Sequence, residues 1–382
     1  MTTAGPTKNV LLVTASVGAG HNQVARTLQD RLQAAAPNVH IEALDILDFY
    51  GRGFRAYYAG GFALGMTRFP RLFGMCFAMS NHPHRPGRAV YERPRLATER
   101  FLGRRYTQHV LARQYDLIIN THFLAPPQLA VQIDRGRLNV PQVMVVTDVE
   151  AHRWWYCDHI QQYYVPNDYT AGQLRTWGIG DDQITISGMP IHPKWTEPLD
   201  RDRIYKDWNL PRNLKIVTLA GGTSFTVGPI VKIARKLLAA CGDLALVVLA
   251  GRNKKLLGDL VSLPQAGTRL FPVPFTDRAQ ELGEISELMI TKPGGITTAE
   301  CVAKGTPMVF LRPVPGHEAG NARYFQREGA GVITRNVKHL VQTVADLLKD
   351  NARRKEMQIN AKRLYRPGAD VVVEDLVRRF GL

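Results

Sequence analysis

The 382-residue sequence contains few of the residues that build covalent or metal-held scaffolds. Its four cysteines lie far apart and none falls in a Cys-x-x-Cys pair: Cys76, Cys157, Cys241 and Cys301. This spacing excludes a zinc ribbon or a disulfide framework and fits a reducing cytoplasm. The sequence also lacks an uninterrupted apolar run of about 20 residues, and its N-terminus lacks the features of a signal peptide. We therefore expect neither a membrane-spanning helix nor export.

Acidic residues are outnumbered overall and are missing from one long stretch. Lys and Arg total 49 against 33 Asp and Glu, which gives a formal charge of +16. No Asp or Glu occurs between Phe49 and Tyr91, where bulky aromatics alternate with six arginines: Arg52, Arg55, Arg68, Arg71, Arg85 and Arg88. Such a mixture suits an interface where cations meet phosphates and rings reach the acyl boundary. The stretch predicts peripheral docking on an anionic membrane.

The length and the order of patterns predict two α/β domains. A chain of this length is too long for one comfortable core. In each half, short apolar β-type runs such as NVLLVTAS and LKIVTLAGG alternate with helical patterns, which is typical of a doubly wound parallel sheet. Three prolines in GMPIHPKWTEPLD mark the linker. We expect an N-terminal domain at 1–195, a C-terminal domain at 196–365, and a last helix at 366–382 packing back on the first. Most of the chain from 321 onward is expected to be helical.

Two glycine-rich loops each follow the first strand of a predicted domain. SVGAGH, which includes Gly20 and ends at His21, leads into the first helix, and AGGTSF carries Gly222 and Thr223. Glycines allow a sharp turn and offer backbone amides to an anion beside a helix N-terminus. A plain strand-to-helix turn would explain either loop alone. Neither loop is a dinucleotide fingerprint or a P-loop.

The most informative stretch runs from Ile290 to Ala322. Gly294 and Gly295 turn the chain out of a strand, and Thr297 and Thr298 are expected to cap the next helix, with Glu300 in its first turn. A carboxylate there can accept hydrogen bonds from a ribose, although helix-end electrostatics would also explain it. The next strand ends in a loop that offers polar groups to a sugar: His317, Glu318 and Asn321.

These segments together resemble a known family. SVGAGH, VVTD followed by His152 and Trp155, YYVPNDY, GMPIHP, AGGTS, TKPGGITTAE and PGHEAGNA are similar to the bacterial processive diacylglycerol glucosyltransferases and the plant monogalactosyldiacylglycerol synthases. The resemblance runs in order over nearly the whole chain. It implies a GT-B fold with a cleft between two Rossmann-like domains, a UDP-sugar bound mainly by the C-terminal domain, a lipid acceptor bound by the N-terminal domain, and inversion at the anomeric carbon.

The resemblance also implies roles for individual residues. Glu300 would bind the uridine ribose, and Gly20, Phe275 and Thr297 would also belong to the donor site. A further set would surround the diphosphate: Gly222, Thr223, Gly294, Gly295 and Ile296. His317, Glu318 and Asn321 would face the sugar, and relatives commonly have Gln at the position of His317. His21 would be the base or the leaving-group stabiliser, with Asp148 and His152 on the acceptor side.

The expected reaction requires neither a metal nor another cofactor. Inverting transfer needs a base near the acceptor hydroxyl and positive charge near the diphosphate, which side chains and amides can supply. No Asp-x-Asp pair falls in the predicted site loops. The alternatives are a UDP-sugar epimerase of the same architecture and N-acetylglucosaminyl transfer to a polyprenyl-linked lipid. Nucleic-acid binding rests on charge alone and is not favoured. We expect a peripheral enzyme on the cytoplasmic face of the membrane.

Overall fold

The structure is a computed structural model that describes residues 7–17, 19–56, 58, 60, 68–81, 89–220, 228–311, 313 and 316–382. It forms two compact units. The N-terminal unit comprises Met1–His192, Pro315–His317 and Arg366–Leu382, and the C-terminal unit comprises Pro193–Val314 and Glu318–Tyr365. The sequence-based boundary at residue 195 lies three residues from the boundary between these units. No helix in the described part of the chain combines the length and the apolar character needed to cross a bilayer.

The N-terminal unit is built on a six-stranded parallel sheet in the order β2-β1-β3-β4-β5-β6. Its strands are β1 (Lys8–Thr14), β2 (Val39–Asp45), β3 (Leu117–Asn120), β4 (Gln142–Val145), β5 (Ile160–Val165) and β6 (Ile184–Ile186). Its helices are α1 (Ala19–Ala35), α2 (Arg52–Ala56), α3 (Pro70–Ser80), α4 (Ala89–Leu102), α5 (Arg104–Leu111), α6 (Pro126–Asp134) and α7 (Asp168–Thr176). Short 3₁₀ helices occupy Ile46–Phe49, Arg153–Trp155 and Asp181–Gln183.

The C-terminal unit repeats this architecture with the strand order β12-β11-β10-β7-β8-β9. Its strands are β7 (Lys215–Ala220), β8 (Leu244–Gly251), β9 (Leu270–Pro274), β10 (Leu288–Thr291), β11 (Met308–Leu311) and β12 (Gly331–Thr334). A 3₁₀ helix at Pro193–Trp195 opens the unit. Its helices are α8 (Arg201–Asp207), α9 (Ile230–Ala240), α10 (Lys254–Val261), α11 (Ala279–Ile285), α12 (Gly295–Lys304), α13 (His317–Arg327), α14 (Val337–Lys349) and α15 (Asn351–Arg363).

The burial of the central strands explains why their sequences are almost entirely apolar. In β8, Leu244 to Val248 are all buried, and in β3 every residue is buried. A parallel strand covered on both faces by helices gains from apolar side chains pointing either way. This burial holds the carboxyl ends of neighbouring strands at fixed spacing, so that the loops leaving them are presented along one edge.

The C-terminal helix α16 (Gly368–Phe380) packs on the N-terminal unit, mainly against α1. Its buried Asp375 accepts a hydrogen bond from the hydroxyl of Tyr164 in β5 at 3.0 Å and pairs with Arg378 and Arg379. Burial alone would raise the pKa of Asp375, but the hydrogen bonds from these two arginines and Tyr164 lower it on balance. The carboxylate thus fastens the end of the chain to the first sheet.

Two strands were not predicted from the sequence. β6 has only three residues, all half-buried, and β12 lies inside the region predicted to be mainly helical. Each is the last strand at one side of its sheet, where pairing with a single neighbour needs little apolar sequence. Their short patterns, ITI and GVIT, are too brief for periodicity to separate strand from loop.

Candidate functional site

His21 lies where three strand ends meet in the N-terminal unit. It is the third residue of α1, directly after the glycine loop that follows β1. Thr121 follows β3, and Thr147 and Asp148 follow β4 closely, while β1, β3 and β4 are adjacent in the sheet. The carboxyl edge of an open parallel sheet is where such folds bind ligands. The sheet therefore places His21, Thr121 and Thr147 together.

Hydrogen bonds fix the protonation pattern of His21. Its Nδ1 lies 2.9 Å from the carbonyl oxygen of Thr121 and 2.9 Å from the hydroxyl oxygen of Thr147. A carbonyl oxygen only accepts, so Nδ1 carries the hydrogen and donates it. In the neutral ring the unprotonated nitrogen is then Nε2. His21 is thus held in the tautomer that a general base requires, with a backbone carbonyl where many enzymes use a carboxylate.

A second histidine, His122, lies beside His21 but is buried, whereas His21 is half-buried. The two rings make an edge-to-face contact with centroids 4.7 Å apart. His122 is buried, and its Nδ1 accepts the backbone amide of Leu124 at 3.1 Å. Burial and the neighbouring His21 lower the pKa of His122 well below its ordinary value. His122 therefore remains uncharged and shapes the wall against which His21 packs.

Asp148 lies at the same edge of the sheet and is linked to the surroundings of His21 by a tryptophan. Its Oδ2 accepts a hydrogen bond from the indole Nε1 of Trp155 at 2.9 Å, and Trp155 is fully buried. The Trp155 ring lies 6.1 Å from the ring of His21. The structure thus brings the two predicted catalytic residues, His21 and Asp148, to one place and holds the carboxylate in a fixed orientation.

His152 fastens helix α3 to the N-terminal unit. Its Nδ1 accepts the amide of Trp154 at 3.1 Å, so Nε2 carries the hydrogen, which it donates to the carbonyl oxygen of Phe77 at 3.1 Å. The rings of Phe77 and His152 are 4.1 Å apart. Because both ring nitrogens are used in this way, His152 is a connection between α3 and the core of the unit.

The first glycine loop is held by a residue that the sequence did not single out. Asn22 donates to the hydroxyl of Ser16 at 2.9 Å and accepts from the hydroxyl of Thr14 at 2.8 Å. Gly20 is the second residue of α1, next to His21. Asn22 therefore ties the end of β1 to the first turn of α1. The sequence offered one signal for this role, which was an amide side chain directly after the glycine-rich loop.

The turn after β10 leaves open space beside its backbone at Gly294. Helix α12 begins at Gly295 with Gly294 as its N-cap, and Gly294 has a φ of −72°, which any residue adopts. Among the described atoms nothing lies within 4 Å of the position where a Cβ of Gly294 would be. The glycine thus leaves room in front of the helix N-terminus, as a bound phosphate would need.

Two expectations for α12 were wrong because the helix starts earlier than predicted. Thr297 and Thr298 lie inside its first turn, and no side chain caps its N-terminus. The hydroxyl of Thr298 instead donates to the carbonyl oxygens of Gly294 and Gly295, at 2.9 and 3.0 Å. Glu300 falls in the second turn and is half-buried, and Ile296 is buried. The N-cap position is occupied by Gly294, so neither threonine can cap the helix.

A buried ion pair joins the turn after β10 to helix α13. Lys292 Nζ lies 2.8 Å from Glu318 Oε1, and both side chains are largely buried. The amide of Asn321, which is fully buried, donates to the carbonyl oxygen of Pro293 at 2.9 Å. The two predicted sugar-facing residues with described side chains are thus anchored to the turn. Lys292 was overlooked, although a lysine at the end of a buried strand was a visible signal.

Phe275 follows β9 at the same edge of the second sheet. Phe275 is 61% exposed, and the guanidinium of Arg252, from the loop after β8, lies 4.8 Å from the centre of its ring. An exposed aromatic face next to a cation can stack on a planar ring such as a nucleobase. The structure does not describe three further parts of the predicted donor site: Gly222, Thr223 and the side chain of His317.

The two units and their carboxyl-edge sites define a class of protein. The solved structure of MurG from Acinetobacter baumannii matches with a TM-score of 0.63 and 14% identity, covering 98% of this chain and all of that one. The UDP-GlcNAc 2-epimerase from Neisseria meningitidis matches with a TM-score of 0.62 and 13% identity, covering 97% of this chain and all of that one. The fold is therefore that of the GT-B glycosyltransferases, as predicted, and an epimerase shares it.

Sequence comparisons define the family more narrowly. Residues 21–191 match the model of monogalactosyldiacylglycerol (MGDG) synthase, and residues 216–371 match the glycosyltransferase family 28 C-terminal domain. The processive diacylglycerol beta-glucosyltransferase of Bacillus subtilis (strain 168) is 30% identical over 381 residues, covering 97% of this chain and 95% of that protein. The chain belongs to this family of glycosyltransferases, which confirms the resemblance seen in its motifs.

Proposed function

We propose that this protein transfers a hexose from a UDP-sugar to diacylglycerol or a related lipid at a membrane surface. The observation that carries the proposal is His21, held by Thr121 and Thr147 with Nδ1 protonated. In the proposed step the acceptor hydroxyl attacks the anomeric carbon and gives its proton to Nε2 of His21. The bond from that carbon to the diphosphate breaks on the opposite face, UDP leaves, and the configuration inverts.

We assign the donor to the carboxyl edge of the second sheet. Phe275 and Arg252 would stack on the uracil, and Glu300 would accept hydrogen bonds from the ribose. The open N-terminus of α12 at Gly294 and Gly295 would hold the diphosphate, with Gly222, Thr223, Ile296 and Thr297 around it. Glu318, Asn321 and His317 would face the sugar. In this scheme protein dipoles and side chains stabilise the leaving group, and neither a metal nor another cofactor is needed.

Helix α3 supports contact with a membrane. Its inner face is fixed by the stacked rings of Phe73 and Phe77 and by His152. Its outer face leaves four large apolar side chains more than half exposed: Phe69, Leu72, Met75 and Met79. Soluble surfaces rarely carry such a row, and the surrounding stretch has no acid. We propose that α3 lies in the headgroup region of the bilayer, on the cytoplasmic face.

The contribution of the arginines in this stretch to membrane binding remains a prediction. Arg52 and Arg68 are exposed, whereas Arg55 forms an ion pair with Asp48 at 2.7 Å. That pair reduces the charge which Arg55 can offer to an anionic surface. Arg85, Arg88 and the side chain of Arg71 lie outside the described residues. The exposed apolar row of α3 is therefore the better target for an experiment.

Replacing the apolar row should weaken membrane binding. We expect Leu72→Ser, Met75→Ser and Met79→Ser together to lower vesicle partitioning roughly 100-fold, since each partly inserted side chain contributes about 1 kcal/mol. Co-sedimentation with phospholipid vesicles measures this. A matched control changes three scattered exposed residues, Leu111, Val261 and Ile359, to Ser. Equal losses in both variants would show that α3 has no special part in binding.

The proposed activity can be tested with the purified protein, labelled UDP-sugars and diacylglycerol in detergent. Thin-layer chromatography should reveal a new glycolipid with at least one hexose donor. An epimerase would change the sugar of the donor without labelling the lipid. A product formed only on a polyprenyl-linked acceptor would move the protein to the other transferase reaction. Either of these results would overturn the proposal.

A further inference from the structure

The C-terminal unit carries a second cationic surface on helices α9 and α10, at the end of these helices that adjoins the proposed donor site. A groove of about 720 Å³ lies between helix α9 and the beginning of α10. Ile230 and Leu256 are buried at its base, while the cationic side chains at its rim are exposed. The groove is lined by Gly228, Pro229, Ile230, Val231, Lys232, Arg235, Lys236, Asn253 and Leu256. It thus combines an apolar base with three positive charges.

The three lining cations share one face of α9 because they are three and four residues apart. Two further exposed lysines, Lys254 and Lys255, lie at the beginning of the neighbouring helix α10. Among the described residues, no ion pair connects any of these five cations to a carboxylate. Repulsion within such a cluster persists unless an external anion neutralises it.

The acids near the groove do not neutralise this charge. From Gly228 to Leu257 the sequence contains a single acid, Asp243, and it pairs with Lys215 at 2.7 Å. Asp259 lies one turn beyond Lys255 on α10 and is exposed to solvent. Asp259 is thus one carboxylate against five cations. The groove therefore complements a ligand that is anionic at one end and apolar at the other.

We propose that this groove binds the phosphate of an anionic phospholipid, so that the C-terminal unit has a membrane contact of its own. The inference rests on the proposed function, because a lipid acceptor brings the enzyme to a bilayer. The phosphate would meet Lys232, Arg235 and Lys236, and the glycerol end would contact the apolar base at Ile230 and Leu256. Binding to the lipid would then respond to the charge of the bilayer and weaken as salt rises.

The test uses the full-length protein and vesicles of phosphatidylcholine with or without phosphatidylglycerol. The groove variant carries Lys232→Gln, Arg235→Gln and Lys236→Gln. Its affinity for phosphatidylglycerol vesicles should fall about 10- to 100-fold, while binding to neutral vesicles is unchanged. The control variant carries Lys338→Gln, Arg353→Gln and Lys355→Gln, which removes the same charge from exposed positions on α14 and α15. We expect it to bind like the parent within about threefold.

Two further measurements separate this inference from the proposed function. Transfer to diacylglycerol dispersed in neutral detergent should be equal in the parent and the groove variant, and a parent without transfer would refute the function alone. UDP affinity should also be unchanged. A groove variant that loses UDP affinity would assign the groove to the donor diphosphate. That result, or a groove variant and control that lose vesicle binding equally, would overturn the lipid site.

Discussion

Replacing His21 with Ala should lower kcat by about 100- to 10,000-fold, the range for removing a general base. UDP affinity should change little, because His21 lies in the N-terminal unit, whereas Phe275 and Glu300, which are assigned to the uridine, lie in the other unit. The loss should therefore appear in kcat at saturating donor. Steady-state rates with a labelled UDP-sugar measure it, and calorimetry measures the affinity for UDP.

The control for His21 is a histidine that is exposed on β2. His40→Ala should keep the turnover of the parent, since His40 lies outside the carboxyl-edge site. Imidazole added to the His21→Ala enzyme should restore part of the rate, which a purely structural loss would not allow. If His21→Ala keeps most of its turnover, the base must be another group, and Asp148 is the next residue to replace.

Breaking the ion pair between Lys292 and Glu318 should impair both stability and donor binding. Lys292→Met leaves the carboxylate of Glu318 buried without its cation, which costs about 3 kcal/mol. Because Glu318 and Asn321 lie at the beginning of α13, the KM for the UDP-sugar should rise about tenfold as this end of the helix shifts. Thermal unfolding and donor titrations measure the two effects.

A second lysine ion pair, at the end of α12, provides a matched control for Lys292. Lys304, at the far end of α12, contacts Glu284 at 2.9 Å and has an almost fully buried side chain. Lys304→Met should also lower the unfolding temperature, but the donor KM should stay that of the parent. Adding Glu318→Gln to Lys292→Met should recover part of the lost stability, because the buried charge that Lys292 compensated is removed as well. Equal donor KM values in the two lysine variants would contradict a positioning role for Lys292.

The repeated strand and helix patterns predicted the architecture because buried parallel strands need long apolar runs. NVLLVTAS became β1 and ALVVLAGR became β8, each covered on both faces. The short strand β12 was missed because four residues carry no periodicity. The start of α12 was misplaced because Gly294 serves as the N-cap in place of a threonine.

The candidate site was only partly visible in the sequence. Motifs pointed to His21 and Glu318, since these residue types stand next to glycine turns or strand ends, and the resemblance to the family added Asp148. They did not indicate Thr121, because a backbone carbonyl has no side-chain signature. They also could not show that Lys292 pairs with Glu318, because that contact depends on two loops meeting in the fold. Trp155 belongs to the segments that resemble the family, but its hydrogen bond to Asp148 becomes visible only in the fold.

The most direct measurement is the balance of products when the purified enzyme is given a UDP-hexose and diacylglycerol. A transferase releases one UDP for each hexosyl-lipid formed, and mass spectrometry of the lipid with chromatography of the nucleotide gives both amounts. We predict equal amounts for the parent and almost none of either for His21→Ala. UDP released without a hexosyl-lipid, or a donor sugar altered with neither product formed, would contradict transfer to lipid.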